Sequence, residues 1–281
     1  MQDSAAIKNV PSLNGYYRKV SFGFASARLE LTPERFAECA DRKNFRAAEL
    51  PSEYLAGLPV NELENLRKRY PVLHCGNLLT PSLATLILDA GRNMQREFVR
   101  TCAGIFRRMA DLKLPAAALD FSLQQTLRDA GRRKILSGLL RELHPALHET
   151  GVTLLLPVRL PLPDPAWKET VTGFLRGTMI PRLKLRLEIY PHELKQDFSP
   201  EDLAGTFRLE TGSVLFCCNA DCGNRLLRQH LTPWMRYYAL TGFPGPFLFC
   251  PFSQENRLAA AESESYSRLV EELSNVHPRK P

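Results

Sequence analysis

Apolar residues in this 281-residue chain come in two lengths that alternate. Short runs rich in Val, Leu and Phe are KVSFGFA (19–25), AAEL (47–50), VLHC (72–75), AAALDF (116–121), VTLLLPV (152–158), LKLRLEI (183–189), SVLFCC (213–218) and PFLFC (246–250). They read as eight strands. Amphipathic stretches lie between and after them, at 33–44, 60–69, 92–113, 123–149, 165–178, 199–205, 224–240 and 255–274, and read as helices. In 92–113, Met94, Phe98, Cys102, Ile105 and Met109 recur at helical spacing with Arg and Glu between them. Thr32 and Pro33 open the first helix as cap and first helical residue. Segment 76–91 (GNLLTPSLATLILDAG) reads as a long loop with partial helix after the third strand. Strands alternating with helices pair in parallel through βαβ units, and eight such units in about 260 residues match a single-domain (β/α)8 TIM barrel. A doubly wound open sheet is the alternative, but its Gly-rich phosphate turn is missing: neither GxGxxG nor GxxxxGK[ST] occurs. The expected organisation is an N-terminal extension, 1–17, and a barrel, 18–281.

Composition narrows the function classes. The net charge is +7, but the cations are scattered, as in RKR at 67–69, RR at 107–108 and RRK at 132–134. Such runs read as solvated helix faces, so no nucleic-acid partner is expected. No stretch reaches the ~18–20 apolar residues of a membrane span, and no membrane association is expected. Residues 1–15 are polar and lack the apolar core of a secretory leader. The seven cysteines, at 39, 75, 102, 217, 218, 222 and 250, are scattered and odd in number. They fit reduced thiols and a cytoplasmic location. A homodimer through helical faces is compatible with a barrel.

Strand parity assigns faces. In LKLRLEI, Leu183, Leu185 and Leu187 face the helices, while Lys184, Arg186 and Glu188 face the barrel interior, Glu188 nearest the mouth. Charges there are costly unless paired or used; a mutually neutralising Arg186–Glu188 pair and a functional pair both remain open. In VTLLLPVRL, Arg159 falls at the mouth, where a guanidinium suits an anionic group on a ligand. His74, Asp120 and Glu49 end the third, fourth and second strands. The C-terminal ends of barrel strands are where such folds do chemistry.

Three stretches carry a family resemblance. FVRTCAGIFRRMADLKLPAAALDFS (98–122), ELHPALHETGVTLLLPV (142–158) and GFPGPFLFCPF (242–252) are similar to corresponding segments of the xylose isomerase-like TIM barrels. These are the sugar and sugar-phosphate isomerases and epimerases, a superfamily shared with the AP endonuclease family 2 repair enzymes. The resemblance implies a divalent metal held by Glu on strand 5, Asp on strand 6, His on strand 7 and Glu on strand 8. Here those positions fall on Pro157, Glu188, Cys218 with Asn219 and Asp221 beside it, and Cys250. The expected metal set, for Mn, Mg or Zn, is therefore Glu188, His74, Cys218 and Cys250. Glu188, His74, Asp120 and Glu49 would do acid/base work. Arg159, Arg186 and Asn219 would bind a small polar or anionic, carbohydrate-like substrate. The resemblance thus implies a sugar isomerase or epimerase with an altered metal site. The alternative is a barrel that binds such a ligand without metal or turnover, because proline ligates nothing and a thiol suits Mg2+ poorly.

Overall fold

The computed structural model describes residues 20–25, 33–42, 44–57, 59–160, 166–194, 199–218, 224–243, 245–251 and 256–275. The proposed extension 1–17 lies outside them. Eight parallel strands close into one barrel in sequence order. They are β1 (Phe22–Ala25), β2 (Ala47–Leu50), β3 (Val72–Asn77), β4 (Ala116–Ala118), β5 (Thr153–Leu160), β6 (Leu183–Ile189), β7 (Thr211–Cys218) and β8 (Phe247–Pro251). The described helices are α1 (Pro33–Ala40), α2 (Tyr54–Gly57), α3 (Val60–Arg69), α4 (Pro81–Asp89), α5 (Arg92–Asp111), α6 (Leu123–Thr126), α7 (Ala130–Thr150), α8 (Trp167–Thr178), α9 (Pro200–Ala204), α10 (Asn224–Thr241) and α11 (Asn256–Asn275). No described helix is long and apolar enough to cross a membrane.

Local chemistry explains where the structure departs from the periodicity. Segment 76–91 holds the full helix α4: Thr80 accepts from the Leu83 amide at 3.3 Å and Pro81 occupies the first turn. The 123–149 stretch is two helices, not one. Asp129 accepts from the Arg132 amide at 2.9 Å, so the chain restarts there as α7. Helix α7 ends at Gly151, whose φ of 72° places it in the left-handed conformation that glycine adopts without strain.

Burial splits the apolar residues into two zones by strand parity. Leu183, Leu185, Leu187 and Ile189 of β6 join Ala48, Leu50, Val214, Phe216, Phe247 and Phe249 in the core between strands and helices. The alternate positions face the lumen, where a separate small cluster holds Ala25, Ala47, Tyr190, Leu215, Cys217, Leu248 and Cys250. Above the floor, the lumen on the β1–β4 side is lined with small residues. Gly23 is required there, since a Cβ on it would lie 1.8 Å from the Ala47 carbonyl oxygen of the paired strand.

Candidate active site

The lumen over Ala25, Ala47, Ala116 and Ala118 is spanned by one long side chain. Arg186 on β6 reaches across to Glu49 on β2, four strands away around the closed barrel. Its Nη1 donates to Glu49 Oε1 at 3.0 Å and Oε2 at 3.1 Å. Its Nη2 donates to Glu188 Oε1 at 2.7 Å and to Asn77 Oδ1, at the end of β3, at 3.2 Å. Gly76 makes room for this: a Cβ there would press within 3.1 Å of Leu50 O and 3.4 Å of Glu49 Oε1. Arg186 and Glu49 are both sealed from solvent, while the Glu188 side chain keeps 12% exposure. Glu188 is thus the carboxylate of the network that a ligand at the mouth meets, with Asn77 the other partly exposed member. Its second oxygen accepts from the Tyr190 hydroxyl at 3.3 Å.

Burial pushes the Glu49 carboxyl up from its ordinary range; Arg186 pulls it down and Glu188 pushes it further up. Arg186 stays charged, because Glu49 and then Glu188 outweigh the burial that opposes its charge. His74 on β3 is the register partner of Glu49. Burial first, and the Arg186 cation second, lower it to about 4, so its imidazole is neutral at physiological pH. Its Nδ1 is buried without a hydrogen-bond partner among the described residues.

The rim holds the other candidates. Asp120 lies two residues beyond β4 and accepts from the Ser122 amide at 2.8 Å. Arg159 lies at the outer end of β5, with its guanidinium 4.2 Å from the Tyr190 ring centre. It is paired with Glu193 through both arms of the fork, its Nε to Oε2 at 3.1 Å. An anionic ligand group would have to compete with Glu193 for it. Asn219 lies outside the described residues, as does the side chain of Cys218. In β7, Cys217 is the register partner of Cys250. Both thiols are buried in the apolar lumen cluster. Sequence reasoning missed Asn77 and Tyr190. Tyr190 continues the parity of Lys184, Arg186 and Glu188 one step past the strand, a signal that was there to follow. Asn77 fell in the segment read as loop.

No protein-family profile matches the sequence, and no curated protein does. Solved structures do. The D-psicose 3-epimerase of Clostridium cellulolyticum H10, solved with D-tagatose, superposes with a TM-score of 0.61 at 12% identity, covering 89% of this chain and 99% of that one. The E. coli 3-keto-D-glucoside 4-epimerase gives the same four values. A xylose isomerase domain protein from Alicyclobacillus acidocaldarius gives a TM-score of 0.60 at 15% identity, covering 90% and 99%. The fold is the (β/α)8 TIM barrel that these structures share.

The described donors of this barrel do not fit the divalent ion that the sequence resemblance implies. Both lumen carboxylates, Glu49 and Glu188, are already bonded to one permanently charged guanidinium. A divalent cation placed among them would sit against Arg186 and be repelled. Pro157 offers no ligand atom on β5. Cys250 lies among alanines and leucines, its Sγ 3.6 Å from the Pro251 carbonyl oxygen. Among the described residues no three His, Cys, Asp or Glu side chains converge as a metal site.

Proposed function

We propose that the mouth of this barrel binds a small polyhydroxylated carbonyl compound, such as a ketose, and that Glu188 moves its proton in an isomerase- or epimerase-type reaction. The observation that carries the reading is the Glu49–Arg186–Glu188–Asn77 network across the lumen. Buried ion networks add little net stability over apolar packing, because desolvating each ion costs several kcal/mol. A charged lumen that opens at one end through a single carboxylate is better accounted for by use than by stability. The fold's likeness to solved sugar epimerases supports the ligand class.

The chemistry follows from the positions. Glu188 takes a proton from the carbon beside the carbonyl. The oxygen that gains negative charge in that step lies in the positive potential of Arg186, in a site partly closed to water. Neutral His74 offers a hydrogen bond to a ligand hydroxyl. A single base returns the proton to the face it left, which suits transfer between adjacent carbons. Inversion at one carbon needs a second group, and Asp120 is the carboxylate at the rim for that role.

A second reading, binding without turnover, is favoured by one observation: both Nη atoms of Arg186 are already bonded within the chain, to Glu49, Glu188 and Asn77. A panel of ketoses and keto-glycosides separates the two. The enzyme reading expects turnover of at least one compound, and a loss of about a hundredfold or more in Glu188→Gln with binding kept within a few-fold. Turnover unchanged in Glu188→Gln removes Glu188 from the role. Calorimetric binding with no turnover in the native protein selects the second reading.

A further inference from the structure

Four oxygen atoms, two from Glu49, one from Glu188 and one from Asn77, surround the Arg186 guanidinium at 2.7 to 3.2 Å. They come from β2, β6 and β3, and the carboxylates lie on opposite walls of the barrel. Carboxylate and amide oxygens are the kind that a hard divalent cation takes as ligands, with water completing its shell. Here they close around a cation that is part of the chain and stays charged at any physiological pH. Resting on the reading of the mouth as a ligand site, we infer that Arg186 is the resident cation of this barrel, standing in for the divalent ion that the resemblance implies.

The substitution has chemical consequences. A guanidinium cannot be chelated, exchanged or lost, so the positive potential at Glu188 does not depend on metal supply. It is also larger than a metal ion and holds its oxygens at hydrogen-bond distance rather than at ~2.0–2.6 Å. Both its Nη atoms are bonded within the chain and its Nε is buried, so it acts on a ligand through its field while Glu188 makes the contact. Removing the guanidinium would leave the same oxygens, with His74 beside Glu49 in the register, facing a space the size of the lost group. That set is suited to a divalent ion.

Titration with Mn2+, followed by the loss of the free-ion paramagnetic resonance signal, tests this without reference to any substrate. The native protein is expected to hold no Mn2+ at the mouth. Arg186→Ala is expected to hold one equivalent, at least tenfold tighter than the native chain, and to melt about 5 °C higher with Mn2+ in large excess over Kd. Arg186→Ala combined with Glu188→Gln should lose that binding. The inference is overturned if the native protein holds one Mn2+ that Glu188→Gln releases, or if folded Arg186→Ala binds Mn2+ no better than the native chain. Should Arg186→Ala not fold with or without Mn2+, the native titration decides by itself, on the same two outcomes. Failure of the catalytic reading would appear instead in the ketose panel and leaves these binding results untouched.

Discussion

His74 shows at the scale of one residue how the barrel sets a charge state. Its pKa falls from 6.5 to about 4 on folding, through burial and then through Arg186. Between those values the unfolded chain takes a proton that the native imidazole refuses. Stability therefore falls as pH drops from 6.5 towards 4, by up to about 3 kcal/mol, and this contribution changes no further below 4. Urea midpoints at pH 7 and pH 5 measure it. His74→Gln should weaken the decline between those two values, and an equal decline in native and variant protein would show that His74 is not the group responsible. Residues of this kind were partly legible in the sequence. Alternation in LKLRLEI put Arg186 and Glu188 in the lumen, where a charge must have a partner, and AAEL put Glu49 at the end of the second strand. The Arg186–Glu188 pair that the alternation left open forms, at 2.7 Å; the partner that sequence reasoning did not reach was Glu49. Parity says which wall a side chain leaves, and says nothing of which opposite wall a long side chain reaches. Glu49 lies 137 residues away in the chain.

At the scale of elements, the strands are where sequence and structure agree most closely, with β2 and β6 matching the apolar runs residue for residue. Period-two alternation survives any error at the ends. The helices differ where a capping side chain outweighs the apolar pattern, as Asp129 does at the start of α7 and Thr80 at α4. The ends of β3 and β4 were hardest to read. Strand β3 runs on to Asn77, through Gly76, and a register shift separates Cys75 from Asn77 in its pairing with β4. Glycine and asparagine are depleted in strands, so the residues that seat the Arg186 network looked like loop. Tight strand contact makes its own prediction. A methyl group at Gly23 would meet the Ala47 carbonyl, so Gly23→Ala should push β1 from β2 and destabilise the barrel by about 3 kcal/mol or more. Chemical denaturation measures it, and a loss under about 1 kcal/mol would mean that the strands separate more freely than the close approach implies.

The whole molecule is an α/β barrel whose sequence is far from those of solved structures that share its fold: two xylose isomerase domain proteins, for example, are 11% and 17% identical over about nine-tenths of its length. Pattern carries the fold across that distance: alternating strands, amphipathic helices and small lumen residues opposite large ones. Site chemistry does not travel with pattern in the same way. In this chain the described lumen holds an arginine bonded to two carboxylates and an amide oxygen, within a barrel wall shared with those structures. The claim on which the functional account turns is that Glu188, at the open end of that network, moves a carbon-bound proton. Incubating native protein and Glu188→Gln with ketoses in D2O and following the proton beside the carbonyl by NMR tests it directly. The account predicts that solvent deuterium enters at that carbon with native protein and at about a hundredth of the rate or less with Glu188→Gln. Exchange at equal rates in both proteins, or none with a ketose that the native protein binds, would contradict it.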